Sequence, residues 1–315
     1  MPPSISQVHL DKALTNVSIQ YRNPAMIADR IFPMFPVGNK SDKYFIFDKT
    51  RFRVVDDQRA PGAEANEVFG WNLSTDNYNA EGHALRDAIP DPIRNNADPA
   101  TDIDVTTTEQ LTDLIMLNRE VNLATKIFGA GSTIPNSTLA GTSQWSDFAN
   151  SDPVLAIDLQ KETILQATGV MPNKIATSQT VFRQLRNHPK VIDRVKYTMK
   201  ANQLSEQELA DAFGVDEVLV GRALQNTATE GQSDALTFIW GKNLLLYYAP
   251  PSIGKKVVAL GAHFLWNYGV PANQGYIVKR WREERRESDL IEVGLYYDQK
   301  IIAPAAGFAF LAAVA

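Results

Sequence analysis

The residues able to do chemistry are few. The chain has four histidines, His9, His83, His188 and His263, and no cysteine. No two histidines stand close enough to form the H-E-x-x-H pair that sets two imidazoles on one helix face around a metal. Lack of cysteine removes thiolate nucleophiles, thiolate metal sites and disulfides. No G-x-S-x-G elbow, G-x-x-x-x-G-K-[ST] loop or G-x-G-x-x-G turn occurs in the sequence. Gly129-Ala130-Gly131 follows a helix pattern, so it does not present helix-start amides to a phosphate. Each histidine is expected to satisfy a local hydrogen bond, and the expectation is a non-enzyme with no cofactor and no metal.

Two charged clusters carry alternative readings. Asp98, Asp102 and Asp104 could hold a cation, but the favoured reading is the start of a helix, where acidic side chains complement the dipole. Lys279-Arg280-Trp281-Arg282-Glu283-Glu284-Arg285-Arg286-Glu287 is the densest charge run. A basic run with an embedded tryptophan could bind a nucleic-acid strand. Three glutamates interrupt it and cut its net field, and the favoured reading of such a mixed-sign run is ion pairs between elements or between subunits.

The composition bounds the rest. The 315 residues are 44% hydrophobic and 21% charged, with a formal net charge of −5. That length supports one large domain or two closely joined ones with a sizeable core. No apolar run reaches the roughly 20 residues that span a bilayer. Met1-Pro2-Pro3-Ser4 lacks the basic and apolar stretches of a signal peptide, so a cytoplasmic folding site is expected. A protein that grips nucleic acid over a wide surface is normally basic, because neutralising phosphates supplies most of the affinity. This chain could enclose nucleic acid without gripping it.

The elements follow from periodicity and punctuation. Pro24, Pro33 and Pro36 exclude a long N-terminal helix, leaving an extended arm with one short turn in 23–32. Lys43–Asp48, Arg51–Val55 and Glu67–Tyr78 read as strands around the turn-rich segment 56–63, giving a hairpin with aromatic stems and a polar tip. Such a hairpin is poorly stable alone, and a neighbouring subunit is one surface for it to lie on. Leu111, Leu114, Leu117, Val121, Ala124 and Phe128 mark one face of a long helix, with capping-box spacing at Thr106 and Glu109 and a stop at Gly129. Asp152-Pro153 opens a helix that Gly169 closes, and Ser205 with Glu208 opens another that Gly214 closes. Strands are expected at 174–177 and 217–220. Residues 236–240 and 244–248 read as a hairpin around Gly241-Lys242-Asn243. The last strands fall at 276–282, 290–297, 300–303 and 307–311, with a break at Asp298-Gln299.

This order of textures resembles the shell fold of tailed-phage major capsid proteins, the HK97-like fold. Two stretches carry the likeness. Leu114-Ile115-Met116-Leu117-Asn118-Arg119-Glu120-Val121, followed by Ala124, is similar to the family's spine helix. Glu287-Ser288-Asp289 through Leu295-Tyr296-Tyr297-Asp298, then Lys300-Ile301-Ile302-Ala303-Pro304 and a Gly-Phe strand, looks like its closing peripheral strands. The resemblance implies an α+β fold with an N-terminal arm (1–42), an extended β-hairpin loop with flanking peripheral strands (43–90), a spine helix with peripheral domain (91–149), an axial domain (150–260) and a return to peripheral strands (261–315). It implies a virion subunit, assembled in the host cytoplasm through pentamers and hexamers into an icosahedral shell around double-stranded DNA. The DNA would be held by weak, non-specific contact. The sequence departs from some relatives in lacking a long, charged, helical N-terminal extension, which suggests a separate scaffolding protein or none. The other partners implied are a portal and, in some shells, a decoration protein, and no membrane. Lys49 lies near the loop in which some relatives carry a crosslinking lysine, but no motif transfers that chemistry.

The residues expected at contacts between subunits are Phe45, Phe47, Arg51, Phe52, Arg53, Phe69 and Trp71 of the hairpin, Arg119 and Glu120 of the long helix, and Arg280, Trp281, Arg282, Arg285 and Arg286 of the charge run. Two other readings stay open. One is an encapsulin-like nanocompartment shell. The other is a soluble α+β hydrolase, which particle size would separate from a shell.

Overall fold

The first elements form where prolines and polar residues interrupt the chain. In the computed structural model, which describes residues 9–10, 25–47, 52, 54–59, 61–62, 64–65, 73–96, 102–196, 204–229, 231–250, 258–267 and 276–315, β1 (His9–Leu10) precedes the single helical turn α1 (Ala28–Ile31). Pro33 then ends that turn, and β2 (Met34–Val37) follows. A two-stranded hairpin, β3 (Ser41–Phe47) with β4 (Leu73–Asn79), leads into β5 (Glu81–Pro90) and α2 (Asp91–Asn96). The long helix α3 (Ile103–Phe128) has 26 residues, about 39 Å at 1.5 Å per residue. It starts one turn before the Thr106–Glu109 spacing because Asp102 takes the cap, its carboxylate accepting from Val105 N at 3.2 Å. Gly129 N closes it by donating to Thr125 O.

The second half alternates short strands and helices. β6 (Asn136–Thr138) is followed by α4 (Pro153–Thr168), capped by Asp152 and closed by Gly169 with a positive φ of 72°. Next come β7 (Lys174–Ser178), α5 (Gln179–Asn187), α6 (Pro189–Val195) and α7 (Glu206–Phe213). The capping box Ser205–Glu208 starts α7, and Gly214, also left-handed, stops it. β8 (Glu217–Gly221), β9 (Leu224–Asn226), β10 (Leu236–Phe238) and β11 (Leu244–Tyr247) complete this part. β12 (Gly261–Trp266), β13 (Ile277–Glu283), β14 (Ser288–Ile301) and β15 (Gly307–Leu311) close the chain.

The strands sort into two main sheets. One has the order β6-β15-β11-β7-β8. The other follows β1-β13-β14-β12-β2, with β5 also paired to β14. Three expectations are corrected here. Residues 236–240 and 244–248 do not pair with each other. β10 pairs with β9, while β11 sits between β7 and β15, because its four fully buried apolar residues need a partner on each edge. The chain does not break at Asp298-Gln299. β14 runs on through both, which pair with Phe264 and His263 of β12. The terminal Gly-Phe strand β15 leaves the second sheet for the first, so 307–311 does not return to the strands of 261–301. The end of the segment read as an arm is built into the body: β2 pairs in parallel with β12, and Ile27, Ala28, Ile31 and Phe32 are buried.

The first sheet is covered on both faces. Leu244 and Leu246 of β11 face a core with α4–α7, through Ile157, Ile164, Val181, Leu185, Leu209 and Phe213. Leu245 and Tyr247 face the opposite core with α1 and α3, through Ile31, Leu123 and Ile127. Burial on both faces explains why these strands read as unbroken apolar runs. Farther along α3, Leu111 and Ile115 pack on Ile291, Val293 and Leu295 of β14, so the one helix ties both sheets together.

Close approach fixes Gly261 in β12. A Cβ there would lie 2.6 Å from Phe32 Cε2 and 2.5 Å from Lys300 O, and the second contact is to backbone. Gly261→Ala is expected to lower stability by about 1–3 kcal/mol, the usual range for overpacking. A urea titration measures it as a lower midpoint at unchanged slope.

Candidate functional site

The hairpin β3–β4 stands outside both cores, held by an aromatic seat at its base. Phe264 of β12 is 5% exposed. Tyr78 stacks on it at 4.7 Å between ring centroids, Tyr44 lies at 5.4 Å, and Phe35 meets it edge-on at 6.0 Å. Polar ties reinforce the seat: Ser41 Oγ donates to Tyr78 O, Tyr78 OH to Asn39 O, and Asn79 N to Asp298 Oδ2. Tyr44 OH donates to Asp76 Oδ2 at 2.7 Å. Burial and that carboxylate together raise the Tyr44 phenol above its ordinary pKa, so it stays a donor.

Beyond the seat the described residues of the arm are mostly exposed and polar, with four large apolar side chains among them. Phe45 is 57% exposed, Phe52 54% and Val54 95%. Residues 54–59 are not a strand, so the period-two reading of Arg51–Val55 does not hold over Val54 and Val55. The Phe52 ring approaches Gly169 at the end of α4 without being buried there. Arg51, Arg53, Phe69, Trp71 and Lys49 lie outside the described residues, as does the side chain of Phe47.

Arg119 and Glu120 are corrected. The sequence reading set them at a contact between subunits, whereas the structure leaves Arg119 2% and Glu120 0% exposed. Side chains so enclosed have no surface to offer a neighbour. The Glu120 carboxylate accepts from Ile27 N at 2.9 Å, Ala28 N at 2.7 Å and Trp240 Nε1 at 2.6 Å. Burial raises its pKa, and the amides of Ile27 and Ala28 with the Trp240 indole oppose that rise. Arg119 donates to Asp29 and, at 3.0 Å, to Tyr276 OH. The pair therefore pins α1 and the 240 turn to the middle of α3.

His263 completes this interior. It is 1% exposed, edge-on to Phe32 and near Tyr297. Neither ring nitrogen makes a well-formed hydrogen bond, and the Ala28 backbone is the polar group that approaches it. Burial first, then the Arg119 and Lys126 charges, hold its pKa well below the ordinary value. The unfolded chain takes up a proton below pH ~6.5 where the folded chain does not. Stability is therefore complete above that pH and falls as pH drops, by up to about 1.4 kcal/mol per unit from this group. His263→Leu is expected to flatten the fall between pH 6.5 and 5 by that amount, read from denaturation midpoints at each pH.

The charge run forms ion pairs between elements within the chain. Arg280 meets Asp104 at 2.9 Å and Asp289 at 3.1 Å, and Arg94 meets the same two at 2.7 Å and 3.2 Å. Arg282 grips Asp91 with both terminal nitrogens. Asp102 and Asp104 thus serve the helix start and this network, while Asp98 lies outside the described residues. Trp281 is half-buried opposite Leu290, and Arg285 and Arg286 are exposed. Among the described residues no cluster of three or more His, Asp or Glu could hold a metal. Nor is any helix among them long and apolar enough to cross a membrane.

Sequence reading missed Phe264, Tyr78, Trp240 and Asp29 as organising residues. Tyr78 ends a strand read from the sequence, whereas the strand Gly261–Trp266 that carries Phe264 is buried almost throughout and was not read, and their meeting spans 186 positions of chain (264 − 78). The Glu120 carboxylate inside an apolar helix face was a signal that it needs donors from elsewhere.

The comparisons with known proteins agree with this geometry. Residues 128–287 match the family model described as phage major capsid protein E. The chain is 30% identical over 244 residues to the major capsid protein of Pseudomonas phage JBD67, covering 76% of this chain and 77% of that one. It is 29% identical over 247 residues to the major capsid protein of Burkholderia phage BcepMu, covering 76% of each. A phage-related protein from Bordetella bronchiseptica superposes with a TM-score of 0.74 at 22% identity, over 97% of this chain and 98% of that one.

Proposed function

The chain belongs to the phage major capsid protein family, and on that premise we propose that it is the self-assembling structural subunit of the shell that encloses phage DNA. The observation that carries the reading is the exposed arm and its large apolar side chains. Phe45 on the β3–β4 hairpin is 57% exposed, and Val54 in the segment beyond it is 95% exposed. A neighbouring copy supplies the cover. The role is structural and not catalytic.

In this reading α3 is the spine helix, the six-stranded sheet the peripheral domain and the block around the five-stranded sheet the axial domain, with 307–315 belonging to the axial block. Head-to-tail contacts between identical copies close into rings. Hexamers and pentamers of that kind tile an icosahedral shell. Assembly takes place in the host cytoplasm with a separate scaffolding protein, a portal and a decoration protein. A subunit of net charge −5 touches the enclosed double-stranded DNA weakly and without sequence preference.

The test is negative-stain microscopy of the chain expressed with its scaffolding protein. Closed shells are expected. A population made only of free subunits and small oligomers would overturn the proposal.

A further inference from the structure

The five-stranded block carries two exposed apolar patches in different elements, and neither serves its own core. On α4, Ile157, Lys161 and Ile164 face inward, while Leu155 is 56% and Leu159 52% exposed on the opposite side. The second patch is the β9–β10 ribbon. Its register sets Leu224 opposite Phe238 and Asn226 opposite Leu236, so these four side chains share one face. Leu224 is 44% and Leu236 65% exposed there. A ribbon of two three-residue strands has little stability alone, and an apolar face on it calls for a partner.

The two patches lie toward opposite edges of one sheet. The ribbon continues from β8, the strand at one end of the order β6-β15-β11-β7-β8. α4 packs on β15, next to the other end. In the ribbon, Asp234 Oδ1 accepts from Asn226 Nδ2 at 2.8 Å. Beside the α4 stripe stand Lys190 and Arg194, partly exposed and paired with Asp152 and Asp158.

Unlike patches at opposite edges are what a head-to-tail interface requires, whereas a two-fold contact would use one patch twice. We propose that the β9–β10 ribbon of one copy docks on the α4 stripe of the next, with Leu224 and Leu236 against Leu155 and Leu159, and that this contact closes the ring of axial blocks. The proposal rests on the shell reading above and adds the pair of elements that meet.

The cysteine-free sequence allows a clean test. Leu159→Cys and Leu236→Cys are placed in one chain, particles are purified, and the thiols are oxidised. A ladder of covalent oligomers up to a closed ring is expected on a non-reducing gel, and each single variant gives no ladder. Particles that form from the double variant and yield no ladder overturn the docking pair and leave the shell reading intact. Abundant disulfide dimers from a single variant overturn it in favour of a two-fold contact. Leu159→Asp and Leu236→Asp provide a second reading that does not depend on crosslinking. Each is expected to leave the subunit folded, with unchanged melting, and to reduce particle yield at least tenfold. Normal particle yield from either one overturns the proposal. If the unaltered chain forms no particles, the shell reading itself fails.

Discussion

Glu120→Ala lowers the unfolding free energy by about 3–5 kcal/mol, because it orphans three buried donors at about 1–3 kcal/mol each with some relaxation. The substitution leaves Ile27 N, Ala28 N and Trp240 Nε1 without an acceptor in a region closed to water. Glu120→Gln falls between. Its amide oxygen keeps the partners of Oε1, while its NH2 meets the Ala28 amide donor to donor. The order wild type, Gln, Ala in denaturation midpoint is the expected outcome. Equal midpoints for Gln and wild type would show that the Ala28 bond contributes nothing.

Phe264→Ala is the second large effect. It removes a ring that three others touch, two of them in the hairpin stem. Large aromatic truncations in a core cost about 3–5 kcal/mol. The loss is local before it is global, because Phe264 belongs to the small cluster of Val37, Tyr78 and Ala262 and not to the core around β11. Faster proteolysis within 41–79 is therefore expected at temperatures where the five-stranded block is still folded. Simultaneous loss of both regions, followed by limited proteolysis across a temperature series, would show that the seat is not a separate unit.

The sequence revealed those parts of the fold that local chemistry decides. Asp152-Pro153 with Gly169, and Ser205–Glu208 with Gly214, mark helix ends that the structure keeps, because a cap needs only residues a few positions apart. The long helix was visible from its apolar period, and its start falls one turn before Thr107, within the one or two turns that the upstream Asp98-Pro99 pair allowed. Strand partners were not legible. Gly241-Lys242-Asn243 has turn chemistry, but a turn does not say which strand comes next to which, and β11 pairs with β7 and β15 instead. Asp298 and Gln299 read as a break because they are polar. Inside β14 they are answered by distant groups: Asp298 accepts from Asn79 N, and Gln299 Nε2 donates to Arg119 O.

The candidate site shows the same division. That strands near 43–48 and 67–78 pair as a hairpin could be read from alternation, and the described strands 41–47 and 73–79 do pair, with Phe45 exposed. Arg119 and Glu120 were expected at a subunit contact as part of the stretch that resembles the spine helix. Their burial depends on Asp29, Tyr276 and Trp240, which are brought in from three other parts of the chain. The arginines at 280 and 282 are held by Asp91, Asp104 and Asp289, so much of the charge run serves the subunit itself.

Hydrogen exchange on the hairpin tests the account most directly. Amides of 41–47 and 73–79 are compared between free subunits and purified shells. A second copy lying over the arm predicts fast exchange in the free subunit and at least tenfold slower exchange in the shell. Equal rates in both states would mean that no neighbour covers these strands, and would contradict an arm completed by assembly.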